Sequence, residues 1–227
     1  GSQRIQHCCE HEKGSMIKIV KGFFKALTCK NQNRKKMNYS VESIISKHFL
    51  FNSLNSVISL CHENPEAAAE LVCEISTYLQ RSMENKAPLI TLDEELEHVL
   101  SYINIQKVRF PDRLKITLDI EDNINCQIPA FTLQPIVDNA IRHGVLKRKQ
   151  GGNVSISIKK QPNSIRITVK DDGDGMTDEQ LDALCKRKNK HHSIYKVNHS
   201  LKKAGIKGLK ISSYQNHGTI VIIDIPF

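Results

Sequence analysis

Several things are missing from these 227 residues, and each absence removes a class of answer. No run of about eighteen apolar residues occurs, so nothing in the stretch itself is long enough to span a bilayer as a helix. The seven cysteines, at 8, 9, 29, 61, 73, 126 and 185, are odd in number and never take C-x-x-C spacing, which argues for reduced thiols in a cytosolic setting. A zinc site is disfavoured as well: Cys8 and Cys9 cluster with His7 and His11, but adjacent cysteines chelate one tetrahedral metal poorly. Acidic residues are absent from two long stretches. Lys13 to Lys36 carries eight basic residues, and Lys186 to Lys210 carries nine. The other sixteen basic residues face all 24 acidic ones, so the net charge of +9 is two local patches and not a property of the whole chain. Neither patch is interleaved with aromatics in the manner of RNA-binding surfaces, so direct nucleic-acid binding is not expected.

What is present suffices for one or two compact domains, since 39% of the residues are hydrophobic. Gly1-Ser2 reads as a protease-cleavage scar, so the natural start is expected to be missing. Residues 1–37 are polar and basic around Met16 to Leu27; they read either as the cytoplasmic side of a membrane anchor or as a solvated linker. From Tyr39 to Cys61, Val41, Ile44, Ile45, Phe49, Leu50, Leu54, Val57 and Ile58 trace a helical stripe. Asn64-Pro65 closes that helix and opens a second, which runs to about Met83. Two amphipathic helices in a hairpin cannot bury both stripes, so a homodimer forming a four-helix bundle is expected over residues 38–86.

Residues 87–227 alternate between strand and helix patterns. Thr91 and Glu94 form a capping box for a helix over 93–109. Strands are expected at 114–120, 153–159, 164–169, 206–212 and 219–225, with further helices at Leu133 to Gly144, after Thr177, and near 194–204. The fold class is therefore α+β: a helical hairpin followed by an α/β sandwich with a mixed sheet.

Two pieces carry the chemistry. In Leu133-Gln134-Pro135-Ile136-Val137-Asp138-Asn139-Ala140-Ile141-Arg142-His143-Gly144, the apolar residues recur at helical spacing and throw Asp138, Asn139, Arg142 and His143 to the other side. An asparagine amide oxygen suits Mg²⁺, and Arg142 and His143 suit phosphate. In Asp171-Asp172-Gly173-Asp174-Gly175-Met176, Asp171 ends a strand and the glycines permit close approach and positive φ. By itself this second run also fits a solvated turn or a calcium-type loop. Paired with the first, it resembles the glycine box that follows the N box in the GHKL ATPases, the superfamily of histidine kinases, gyrase and MutL. That resemblance implies ATP and Mg²⁺ as cofactors, with Mg²⁺ at Asn139, adenine selection by Asp171, and Gly173 and Gly175 flanking the base. Arg142, His143, Met176 and Thr219 complete the expected nucleotide contacts.

Within the first helix, Lys47-His48-Phe49-Leu50-Phe51-Asn52-Ser53-Leu54-Asn55 resembles the P-H-F-L-F-N-x-L-N phosphoacceptor motif of the LytS/YesM-type sensor histidine kinases. Lys47 stands where that pattern has proline. Leu92 to Leu96, Tyr102, Ile105-Gln106, Arg109-Phe110 and Ile128-Pro129 extend the likeness over roughly residues 40–227. The resemblance implies a two-component kinase that phosphorylates His48 and passes the group to an aspartate on a response regulator, as the cytoplasmic portion of a membrane protein with an upstream sensor region. Asn52, one turn on, is placed to fix the imidazole tautomer, while Asp138 either polarises the nucleophile, organises Mg²⁺ or serves structure.

The pattern departs between Cys185 and Gly205. Where the family has G-x-G-L, this chain has His191-His192-Ser193-Ile194, with the basic residues Lys186, Arg187, Lys188 and Lys190 before it. The glycine amides that cradle phosphates are gone, so a cationic lid must take their place or nucleotide binding is weak. A signalling scaffold with little or no nucleotide binding is the alternative reading. A serine-directed GHKL kinase is disfavoured by the hairpin that carries His48.

Overall fold

The computed structural model describes residues 47–83, 87–185 and 193–227, which belong to one compact unit spanning Ile44–Phe227. The basic N-terminal segment and most of the lid, residues 186–192, lie outside the described residues.

The hairpin forms as its sequence pattern dictates. Helix α1 covers Lys47–Glu63 and α2 covers Pro65–Met83. Asn64 Oδ1 accepts from Ala67 N at 3.1 Å, capping α2 with Pro65 in the first helical position, where a missing N–H costs nothing. Phe49, Leu50, Ser53 and Val57 of α1 are buried, as are Ala68, Leu71, Ile75, Tyr78 and Ser82 of α2, alternating by three and four.

Strand β1 (Leu89–Thr91) leads into α3 (Leu92–Arg109) through the expected capping box: Glu94 N donates to Thr91 Oγ1 at 3.2 Å and Thr91 N to Glu94 Oε2 at 2.8 Å. Helix α3 is buried on much of its circumference, including the polar Glu95, His98 and Gln106. It packs against α2, α1 and the helix that follows, so its polar residues must find partners inside.

Strands β2 (Leu114–Ile120) and β3 (Gln127–Pro129) precede α4 (Leu133–Asn139). β1 and β3 pair antiparallel in a small ribbon: Pro88 to Leu92 reads as a short strand in the sequence, whereas β3 does not, because a three-residue strand carries little periodicity. Beyond α4 the helix continues as a π turn over Ala140–Gly144 and a 3₁₀ turn over Val145–Lys147. Strands β4 (Gly152–Gln161) and β5 (Ser164–Asp171) are followed by α5 (Asp178–Cys185), α6 (Ser193–Lys203), β6 (Lys210–Tyr214) and β7 (Gly218–Pro226).

The five-stranded sheet has the order β2-β4-β5-β7-β6, with β2 and β4 parallel and the other pairs antiparallel. Its core rows are in register: Ile158 lies beside Ile167 and Ile167 beside Ile223, while Ile156 lies beside Val169 and Val169 beside Val221. All six are buried, and alternation turns Ser155, Ser157 and Thr168 to the opposite face. The sixth strand begins at Lys210 and not at Ile206 as the pattern suggests. Ile206 is buried in the turn after α6, where its N donates to Leu201 O at 3.0 Å and not to a neighbouring strand.

Candidate functional site

The π turn that continues α4 meets the end of β5 and the turn after it, with glycine at the points of closest approach. A Cβ on Gly173 would lie 2.3 Å from the carbonyl carbon of Gly144, and one on Gly144 would lie 2.6 Å from Asp171 Oδ1. The end of the N-box helix and the glycine-box turn are therefore in direct backbone contact. Gly175, with φ of +63°, would press a Cβ to 2.0 Å from Tyr214 O. The resemblance implies that these glycines flank a flat base; in the fold, the space their missing side chains leave is filled by Gly144 and by the β6–β7 connection.

Asp171 is 3% exposed. Its Oδ1 accepts from Gly173 N at 3.0 Å, and the Thr219 backbone also donates to the carboxylate. Burial raises its pKa from the ordinary carboxylate value, opposed by those two amide bonds. Thr219 Oγ1 lies 2.9 Å from Ser213 Oγ, which accepts from Met176 N at 2.9 Å. Asp171, Gly173, Gly175, Met176 and Thr219 thus form one connected patch.

On the helix side, Asn139 Nδ2 donates to Pro135 O at 2.7 Å and to Ser193 Oγ at 3.1 Å. With the amide nitrogen so held, Oδ1 is the atom presented to a cation. Among the described residues no group of three or more His, Cys, Asp or Glu side chains could hold a metal ion. A divalent cation at Asn139 would therefore take the remainder of its shell from phosphate and water, the arrangement Mg²⁺ favours. Asp138 Oδ1 accepts from the Tyr102 hydroxyl, and Arg142 Nη1 lies 3.5 Å from Asp138 Oδ2. Arg142 and His143 are exposed at the end of the helix. His48 lies in the first turn of α1 and Asn52 one turn later, with Asn52 half-buried; the His48 side chain, and with it the expected contact between the two, lies outside the described residues.

Two residues that build the site escaped the sequence reading. Arg148 closes the glycine-box turn: Nε donates to Asp174 Oδ1 at 2.7 Å, Nη1 to Asp172 O at 2.7 Å, and Nη2 to Gly173 O at 2.6 Å and Asn216 O at 3.2 Å. In sequence it was one cation in the run Lys147-Arg148-Lys149, with nothing to separate it from its neighbours. Glu95, 1% exposed on α3, accepts from Leu133 N at 2.7 Å and Phe131 N at 2.9 Å. It thereby caps α4, whose Thr132 makes no side-chain cap of its own. A carboxylate reaching from one helix to another's N-terminus leaves no local signature.

Known proteins resemble this chain over most of its length. Residues 38–114 match the family described as histidine kinase, and residues 129–227 match the family described as histidine kinase-, DNA gyrase B-, and HSP90-like ATPase. The chain is 35% identical over 215 residues to YwpD of Bacillus subtilis, covering 93% of this chain and 77% of that protein. It is 32% identical over 198 residues to the sensor protein LytS of Bacillus cereus, covering 82% of this chain but only 33% of LytS. Among solved structures, the Acinetobacter baumannii histidine kinase AdeS superposes with a TM-score of 0.47 at 20% identity, covering 95% of this chain and 97% of AdeS. With a histidine-kinase segment over residues 38–114 and an ATPase segment over 129–227 that contains both boxes, the chain belongs to the histidine kinase family.

Proposed function

We propose that this chain is the core of a two-component kinase that binds Mg-ATP between the N box and the glycine box and phosphorylates His48. The observation that supports it most is the contact at Gly144 and Gly173, which brings the end of the helix that carries Asn139 against the turn that follows Asp171. In this reading, Asp171 accepts from the exocyclic amine of adenine, and Asn139 Oδ1 holds Mg²⁺ against the phosphates. Mg²⁺ supplies charge neutralisation at the transferring phosphoryl group. A neutral His48 nitrogen forms the new bond to the γ-phosphorus as the bond to the β–γ bridging oxygen breaks, and ADP leaves. The phosphoryl group then passes to an aspartate carboxylate of a response regulator, regenerating neutral His48. Asp138 is engaged by Tyr102, which suits an orienting role better than proton removal.

The domain limits that go with this reading are a basic linker over 1–37, a dimerising hairpin over 38–86 and the ATPase domain over 87–227. The homodimer, and a sensor region preceding the linker at a membrane, belong to the same proposal. No helix among the described residues is long and apolar enough to cross a membrane.

One observation favours the scaffold alternative: Ser193, standing where the family has a lid glycine, brings a side chain against Asn139 where a glycine would leave backbone open to phosphate. Incubation with γ-labelled ATP and Mg²⁺ separates the two. Acid-labile, base-stable label on the parent and none on His48→Gln is expected, because phosphoramidates hydrolyse in acid. Label that survives acid removes the histidine assignment, and an unlabelled parent supports the scaffold.

A further inference from the structure

Two buried tyrosines on different helices both end their hydroxyls on α4. Tyr78 of α2 accepts from Gln134 Nε2, and Tyr102 of α3 donates to Asp138 Oδ1 while accepting from Gln106 Nε2 at 2.7 Å. Gln134 and Asp138 are four residues apart, so they share one face of the helix. Gln134 Oε1 also lies 2.8 Å from Nε2 of His98, whose ring stacks on Tyr78 at 5.0 Å and 11°. Gln134 and Asp138 Oδ1 are thus both held by the aromatic layer beneath α4.

The rings of the same two tyrosines enclose Phe49 of α1. Its centroid lies 5.2 Å from each, edge-on to Tyr78 at 64° and tilted to Tyr102 at 37°. Phe49 is 6% exposed and the tyrosines 1% and 2%, so no water layer intervenes to absorb a displacement. Burial holds both phenols well above their ordinary pKa, and the neighbouring Asp138 charge adds to this, so both stay protonated at any working pH. In sequence, Phe49 directly follows His48, and Asp138 directly precedes Asn139.

We propose that Tyr78 and Tyr102 form a socket through which α4 sets the position of Phe49, and with it the first turn of α1 that carries His48. The tyrosines are positioning residues: they touch neither nucleotide nor phosphoryl group, and they link occupancy at Asn139 to presentation of the phosphoacceptor. This rests on the kinase reading above. Removing only the hydroxyls keeps the rings packed on Phe49 and cuts the link to α4, which separates coupling from anchoring.

The test uses the full chain with 4-fluorophenylalanine at position 49, titrated with Mg²⁺ and a non-hydrolysable ATP analogue and followed by fluorine NMR. The parent is compared with Tyr78→Phe, Tyr102→Phe and the double variant; calorimetry gives nucleotide affinity, and labelled ATP gives the phosphorylation rate. The parent resonance is expected to move on nucleotide binding. In the variants the movement falls by about half or more, and the rate at saturating ATP falls about tenfold while affinity stays within about threefold, the size of one lost hydrogen bond expressed in the transition state alone. A parent that binds nucleotide without moving the Phe49 resonance overturns the socket. So do variants in which the movement and rate match the parent, or in which the rate loss is matched by lost affinity. The single variants carry the test if the double variant does not fold. A parent that takes up no nucleotide overturns the kinase reading, and the socket with it.

Discussion

The glycine-box side and the N-box side of the proposed site are built on different physical terms. On the first, Asp171 is buried, Gly173 and Gly175 are pressed against backbone, and Arg148 donates four bonds across the turn. On the second, Asn139 holds Ser193 Oγ and a backbone carbonyl, and Arg142 and His143 stand exposed. The first side is fixed by excluded volume and short hydrogen bonds, which salt does not screen. The second relies on one amide and on charges near solvent, which it does. Recognition of a base needs a fixed shape, whereas holding phosphates tolerates an adaptable cationic surface. Substitutions should accordingly be severe on one side and graded on the other.

Gly173→Ala should have the largest effect. Its Cβ would stand 2.3 Å from backbone that cannot swing aside, so a cost of about 3 kcal/mol is expected, with melting lowered by about 10 °C and nucleotide binding lost. A variant that melts with the parent would show that the two boxes are not in contact.

Arg148→Ala comes next. Loss of a partly buried guanidinium that holds three carbonyls and a carboxylate should cost about 2 kcal/mol of stability and weaken nucleotide binding about tenfold, read by calorimetry. Unchanged affinity at reduced stability would confine Arg148 to the fold.

The pH dependence sharpens the comparison, because the acid assigned to the base on the glycine-box side is buried. The folded pKa of Asp171 is raised, so this group favours the folded state at low pH, and that contribution is lost as pH rises through the folded pKa. Adenine recognition has the opposite sign, since it needs the carboxylate. Affinity should therefore fall on acidification at a higher pH than an unburied aspartate would set, even as Asp171 ceases to destabilise the fold. A pH profile of nucleotide binding that is equally steep in Asp171→Ala would assign the effect elsewhere.

The smallest expected change is on the other side. Ser193→Gly frees the Asn139 amide and restores a family residue, so ATP affinity should rise about two- to fivefold and its salt dependence should flatten, measured by calorimetry from low to physiological salt. Weaker binding in this variant would mean that the serine supports Asn139 instead of competing for it.

Local pattern determined much of this protein. The capped helices, the alternating strands and the residues of both boxes are legible because a helical or strand period, an Asn-Pro boundary or a T-x-x-E box acts over a few residues. Asn139 and Asp171 were visible for the same reason: each is set in a short, chemically distinctive string. Tertiary structure alone decided what lies between those strings. Glu95 caps a helix that starts 38 residues later, Arg148 bonds to a turn 24 to 26 residues away, and Gln134 reaches Tyr78 across 56. The glycines of the second box were legible as glycines, but their neighbours Gly144 and Tyr214 were not. A buried hydrogen bond or a close backbone contact constrains two distant residues jointly and leaves neither with a local period, so it becomes visible only once the chain has brought them together.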